Sequence, residues 1–195
     1  MSHDAPTIRV ATQADTESMI DILSEAFRDD PVFQWLSPKP SYARYAFGMT
    51  LPSCVPHGLS YLTEDGSSAA SWLPPGIGMD PSITLGQFWE GVTRHGLRSL
   101  RRAYGVFRRV QKYHPTEDHY YLFAIGCHPA HRGSGVGSAL MREVTRLCDE
   151  GGVPAYLENS KEQNLHFYRK HGFEVMDELQ LENGPKMWPM LRKPR

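Results

Sequence analysis

Cysteine is scarce in this chain: Cys54, Cys127 and Cys148 stand far apart, an odd number with no C-x-x-C spacing. That pattern excludes a disulfide framework and a thiolate zinc site, and the three read as reduced thiols. His128 and His131 have H-x-x-H spacing, not the set of a metal site, so they read as loop histidines and no metal is expected. Nowhere do about eighteen apolar residues run together. Met1 to Pro6 has no positive segment leading into an apolar one, so no membrane partner is expected and the expected compartment is the cytoplasm. Charge of one sign is also lacking. Twenty-one basic against 22 acidic residues leave a formal charge of -1, which gives no overall footprint for nucleic acid.

What is present is the balance of a globular protein, 40% hydrophobic and 22% charged over 195 residues, enough to bury a core without staples. A single domain over 1–195 is expected. Thr7 to Ala11 alternates as a strand, and Thr12 with Asp15 starts an amphipathic helix carrying Met19, Ile20, Leu23 and Phe27. Asp29-Asp30-Pro31 ends that helix, and a second runs from Tyr42 to Leu51 before Pro52. Gly58 to Thr63 and Ser67 to Leu73 form a hairpin around Asp65-Gly66. Between about 81 and 119 lies a helical insertion whose apolar positions, Leu85, Phe88, Trp89, Val92, Leu97, Leu100, Tyr104, Phe107 and Val110, are expected to face the core. Its basic residues, Arg94 to Lys112, form either a solvated face or a receiver for an anion.

From Tyr120 the order is a strand to Cys127, a glycine-rich turn, a helix from about Gly135 to Cys148, a strand from Val153 to Leu157, and a helix from about Lys161 to Lys170. Strands near Phe173 to Leu181 and Lys186 to Leu191 close the chain. The strand-loop-helix-strand unit requires a parallel pair with a right-handed crossover. Its loop, Arg132-Gly133-Ser134-Gly135-Val136-Gly137-Ser138, suits an anion: glycines admit a phosphate close to backbone N–H groups, the helix start adds partial positive charge, and Arg132 adds a guanidinium. No lysine follows the glycines as in a nucleotide P-loop, and their alternation does not fit G-x-G-x-x-G.

The run Arg132-x-x-Gly135-x-Gly137 resembles the pyrophosphate-binding motif of the GCN5-related N-acetyltransferase (GNAT) superfamily. Leu122 to Pro129 resembles that family's fourth strand, and Asn164-x-x-Phe167-Tyr168-x-x-x-Gly172-Phe173 its last conserved block. Ser71 to Gly76 and Tyr156 to Ser160 resemble a subgroup that includes puromycin acetyltransferase-like proteins. The resemblance implies an α/β fold with a mixed, mostly antiparallel sheet of about seven strands, splayed between two central parallel strands and flanked by helices. It also implies direct transfer of acetyl from acetyl-CoA to a primary amine of a small molecule or peptide, with homodimerisation left open. The alternative is a CoA-binding sensor or regulatory domain that keeps the fold without turnover.

On the same resemblance, Ile125 and Cys127 meet pantetheine through their main chain. Arg132, Gly133, Ser134, Gly135, Val136, Gly137 and Ser138 hold the pyrophosphate, and Asn164 bonds pantetheine or a water. Tyr168 is the candidate general acid for the leaving thiolate. Glu158, at the end of the second parallel strand, is the first candidate for the general base, with Glu64 the second; the plainer readings are core residues, a helix-start Asn and a structural carboxylate. The insertion is expected to cover the acceptor side.

Overall fold

The computed structural model describes residues 7–79, 83–131 and 133–195. Met1 to Pro6, Asp80, Arg132 and, within the expected insertion, Pro81 and Ser82 lie outside the described residues.

The first strand, β1 (Ile8–Val10), leads through a 3-10 turn at Gln13–Asp15 into α1 (Thr16–Ala26). Asp15 makes that entry: its carboxylate accepts from the backbone N–H and hydroxyl of Thr12, both at 2.8 Å, and from Arg9. A short helix, α2 (Pro31–Leu36), follows where the sequence suggests only a stop. The Asp30 side chain accepts from the N–H groups of Val32 and Phe33 at 2.9 and 3.1 Å, and Pro31 occupies the first helical position, where no N–H is needed. The third helix, α3 (Tyr42–Cys54), runs past Pro52 into its last turn.

Antiparallel β2 (Ser60–Thr63) and β3 (Ser68–Leu73) are joined at Asp65-Gly66, with Gly66 at φ 67°. Then come α4 (Leu85–His95) and α5 (Leu97–Val110), broken at Gly96, whose φ is 85°. The remaining elements are β4 (Tyr120–Cys127), α6 (Val136–Gly151), β5 (Ala155–Asn159), α7 (Leu165–Lys170), β6 (Glu174–Val175), β7 (Leu179–Gln180) and β8 (Lys186–Arg192). The strand expected over Phe173 to Leu181 is thus two strands of two residues each, which raises the count from about seven to eight.

Seven strands pair in the order β1-β2-β3-β4-β5-β8-β6, and β7 pairs with β8. Among the described residues only β4 and β5 are parallel; every other pair is antiparallel. Against one face lies α6, whose Leu140, Met141, Val144 and Cys148 repeat at helical spacing and are fully buried with Trp72, Leu122 and Leu157. Against the other lie α1 and α3, through Met19, Leu23, Phe47 and Leu51.

Gly126 sets how closely α1 approaches β4: a Cβ there would stand 2.6 Å from Cβ of Ala26 and 3.0 Å from Cδ2 of Leu23. Gly126→Ala should therefore destabilise by about 1–3 kcal/mol through overpacking. Urea unfolding checks this, and an unmoved midpoint would mean that α1 is not held so close.

The insertion departs from its expected packing. Leu85, Trp89, Leu97 and Tyr104 are exposed rather than directed into the core, because the break at Gly96 lets only one stripe of each helix reach a neighbour. That stripe, with Leu100, Val106 and Val110, packs on Val32, Leu36, Tyr42 and Tyr45 and on Leu179, Leu181 and Met187 of the C-terminal hairpin. Arg102 stacks 4.4 Å over Trp35, whose indole N–H donates to the Asn183 carbonyl at 2.7 Å. Among the described residues no helix is long and apolar enough to cross a membrane.

Candidate functional site

The parallel pairing of β4 and β5 is short. It joins Tyr120 to Ala155, Tyr121 to Tyr156 and Leu122 to Leu157, and then stops, although β4 continues to Cys127 and β5 to Asn159. On its other side β4 remains paired with β3, but the register slips: Trp72 faces Leu122 and Ser71 faces Ala124, which leaves Phe123 as an extra residue. A bulge of this kind bends a strand. The bend turns the rest of β4 away from β5 and opens a cleft of about 530 Å³ between them. Along Phe123 to Cys127 the β5-facing backbone groups have no strand partner among the described residues, so an extended ligand could pair with them as an added strand.

One end of the cleft is the start of α6. Gly133 and Gly135 have φ of 82° and 86°, a left-handed conformation that disfavours side chains, and an added Cβ at either position would meet nothing within 4 Å. No side chain caps this helix, and its backbone ladder begins with Ala139 donating to Gly135, so the N–H groups of Val136, Gly137 and Ser138 point outward without helical partners. Sixteen residues of aligned peptide dipoles stand behind them. The Ser138 hydroxyl lies 3.0 Å from Nε2 of His171. Burial, then the charges of Arg142, Lys170 and Arg192, lower the pKa of His171, so the ring is neutral near pH 7 and orients the hydroxyl without adding charge.

The cleft brings together Ile125, Cys127, Gly133, Gly135, Val136, Gly137, Ser138, Glu158, Asn164 and Tyr168. Ser134 is exposed, and its hydroxyl donates to the His131 carbonyl at 2.8 Å. Asn164 precedes α7 without capping it, which leaves its amide free for the cleft. Glu64 stays exposed in the β2–β3 turn, away from the cleft wall.

Tyr168, on α7, is 8% exposed. Burial, and after it the charge of Asp30, pushes its phenol well above the ordinary range, so the group stays protonated and has a proton to give. Asp30 itself lines the cleft. Burial raises its pKa, opposed by the hydrogen bonds from Ser160, Phe33 and Val32 and by the charge of Lys161. This carboxylate beside Tyr168 escapes sequence reading because Asp-Pro there looks like a helix stop, although the same dipeptide is the cap-and-first-residue signature of α2.

Glu158 points to the α3 face of the sheet. Its Oε2 accepts from the Tyr121 hydroxyl at 2.8 Å, and its Oε1 lies 3.0 Å from Nε2 of His114. Tyr121 is held protonated by burial first and by Glu158 second, which fixes it as the donor. The His114 ring packs against Tyr121, Tyr156 and His119, with centroids at 4.8, 4.6 and 5.5 Å. None of the arginines of α4 and α5 lines the cleft: Arg94 pairs with Glu90, Arg109 with Glu182, and Arg102 is spent on Trp35. What the expected insertion brings to Glu158 is His114, beyond the end of α5, which sequence spacing does not connect with that position.

Residues 101–175 match the acetyltransferase (GNAT) domain family. The chain has the GNAT fold. An uncharacterised N-acetyltransferase of Schizosaccharomyces pombe is 25% identical over 197 residues, covering 88% of this chain and 77% of that protein. Among solved structures, one described as histone acetyltransferase HPA2 and related acetyltransferase from Corynebacterium glutamicum superposes with a TM-score of 0.66 at 22% identity, covering 98% of both chains. Arylalkylamine N-acetyltransferase 2 from Aedes aegypti superposes with a TM-score of 0.69 at 12% identity, covering 98% of this chain and all of that one. The finer likeness to puromycin acetyltransferase-like proteins finds no support in these comparisons.

Proposed function

We propose that this chain transfers the acetyl group of acetyl-CoA directly to a primary amine of a small molecule or peptide. The observation that carries the reading is the splay of β4 from β5, which leaves a free strand edge leading from an uncapped helix start to a buried phenol and a buried carboxylate. Pantetheine would pair with the backbone of Ile125 and Cys127. The pyrophosphate would lie against Gly133 to Ser138, with Arg132 supplying a further donor, and Asn164 would bond the pantetheine arm. Tyr168 would protonate the leaving thiolate, and Glu158 would accept a proton from the amine. The GNAT domain match and the N-acetyltransferase relative favour turnover over a non-catalytic CoA sensor.

The acceptor class follows from what surrounds Glu158: a carboxylate ringed by Tyr121, Tyr156, His114 and His119 attracts an ammonium group, and no arginine of the insertion faces it. The arylalkylamine substrate named for the Aedes aegypti structure is of this kind. Release of free thiol from acetyl-CoA, followed with phenylethylamine, agmatine, spermidine and a short peptide with a free N-terminus, tests the reading. Amine-dependent release is expected with at least one; acetyl-CoA binding without release from any would refute acetyl transfer to such acceptors. Reversing charge on the insertion with Arg101→Glu should leave kcat/KM within about twofold for every amine that works, since an exposed charge remote from the site is screened. A change that tracks acceptor charge and fades with salt would bring the arginines of the insertion to the acceptor site.

A further inference from the structure

We propose that His114 is a positioning residue for Glu158, and that a proton leaving the acceptor ammonium comes to rest between Oε1 of Glu158 and Nε2 of His114; this rests on the acetyl transfer proposed above. Both atoms are buried, and among the described residues neither has another hydrogen-bond partner; they face each other at 3.0 Å. The second carboxylate oxygen is already taken by Tyr121, so Oε1 is the oxygen left to meet His114. Leaving two polar atoms buried and unsatisfied is unfavourable, and a single proton between them satisfies both.

The pairing also answers a chemical difficulty. An alkylammonium has an ordinary pKa near that of lysine, about 10, while a lone carboxylate titrates near 4, so the carboxylate by itself is a poor proton acceptor for it. An imidazole ordinarily titrates near neutrality and narrows that gap. In the step, with the neutral ring carrying its own proton on Nδ1, an ammonium N–H bond breaks and its proton passes through Oε1 to the bare Nε2, giving an imidazolium held by the ionised carboxylate. The freed nitrogen pair attacks the thioester carbonyl and the C–S bond breaks. Of the two protons that the nitrogen sheds, one is matched by the proton Tyr168 gives to the thiolate, and the other rests on the Glu158–His114 pair before it leaves to solvent. The way out is through His114, whose side chain is 15% exposed against 7% for Glu158.

The groups that face this pair are few. From β4 comes Tyr121, and from β5 Tyr156, both pushed up by burial and neutral throughout the working range. From the segment before β4 comes His119, whose Nδ1 lies 2.8 Å from the Glu117 carbonyl. Among the described residues no Lys or Arg forms an ion pair with Glu158, so the imidazole is its one ionisable cationic partner.

The test is the pH profile of kcat/KM for the wild type, His114→Gln and Tyr121→Phe, using the amine of the panel above that is turned over fastest. The wild type should gain activity through a limb between about pH 6 and 8. His114→Gln should lose that limb and about 10- to 100-fold in kcat, with acetyl-CoA affinity unchanged by calorimetry. Tyr121→Phe removes only an anchoring hydrogen bond, so it should lower the rate and keep the limb. A His114→Gln enzyme with the limb intact and kcat within about twofold of wild type would overturn the proposal while leaving acetyl transfer standing. Should that variant not fold, the wild-type His114 imidazole followed by NMR decides: it should titrate together with the limb, and a ring that stays in one state from pH 5 to 9 while the rate changes would overturn the proposal. A panel wholly inactive despite acetyl-CoA binding would instead strike the acetyl transfer itself, and this inference with it.

Discussion

Tyr168→Phe should lower kcat by about 10²-fold or more and leave acetyl-CoA affinity within about twofold. The substitution removes one oxygen from a side chain that is 8% exposed and keeps the ring packed with Phe167 and Phe173, at centroid distances of 5.2 and 6.3 Å. Packing is therefore preserved while the proton proposed for the thiolate is lost. The sign of the pKa shift supports a donor: a phenol pushed upward by burial and by Asp30 is protonated at every pH at which the enzyme would work. Removing it should not abolish a pH limb below about 10, since it does not titrate there. Steady-state kinetics with calorimetry on the same preparation checks this, and an unaltered kcat would leave Tyr168 a packing residue.

Gly137→Glu should weaken acetyl-CoA binding by about 10²-fold or more while the fold is kept. Gly135 is a poorer place for this test, since at φ 86° any side chain strains the backbone. Gly137 is helical, and a Cβ there would stand 3.5 Å from Phe167, an ordinary contact. Glutamate in the first turn of a helix favours stability by about 0.3–1 kcal/mol, and replacing a helical glycine by about as much again. The variant should thus melt no lower than the wild type. Its carboxylate, however, would stand where the N–H groups of Val136 to Ser138 await an anion, and like charges set side by side cost several kcal/mol, equivalent to the stated loss. Undiminished affinity in a folded variant would remove the α6 start from the phosphate site.

Much of this site was legible in the residues because one local rule governs it. Tyr120 to Cys127 reads as a strand because it is apolar throughout, and the turn after it reads as an anion site because glycines sit at the start of a helix whose apolar face is clear in Leu140, Met141 and Val144. Where local rules compete or fall silent, the reading failed. Helix α2 has six residues, too few to show a 3.6-residue period, so Asp30-Pro31 registered as an end rather than a beginning. Across α4 and α5 the period is real, but Gly96 resets its phase, and Trp89 and Tyr104 end on the outside. His114 meets Glu158 only because the chain returns from α5 across the N-terminal end of β4, a contact made by the fold and unmarked by any spacing.

The most direct test of the account is a crystal structure of the wild-type chain with CoA bound. Pantetheine should lie along the β5-facing edge of β4, hydrogen-bonded to the backbone around Ile125 and Cys127. The pyrophosphate should sit on the N–H groups of Val136, Gly137 and Ser138, with the sulfur near the Tyr168 hydroxyl. CoA bound elsewhere, with the edge between β4 and β5 empty, would contradict it.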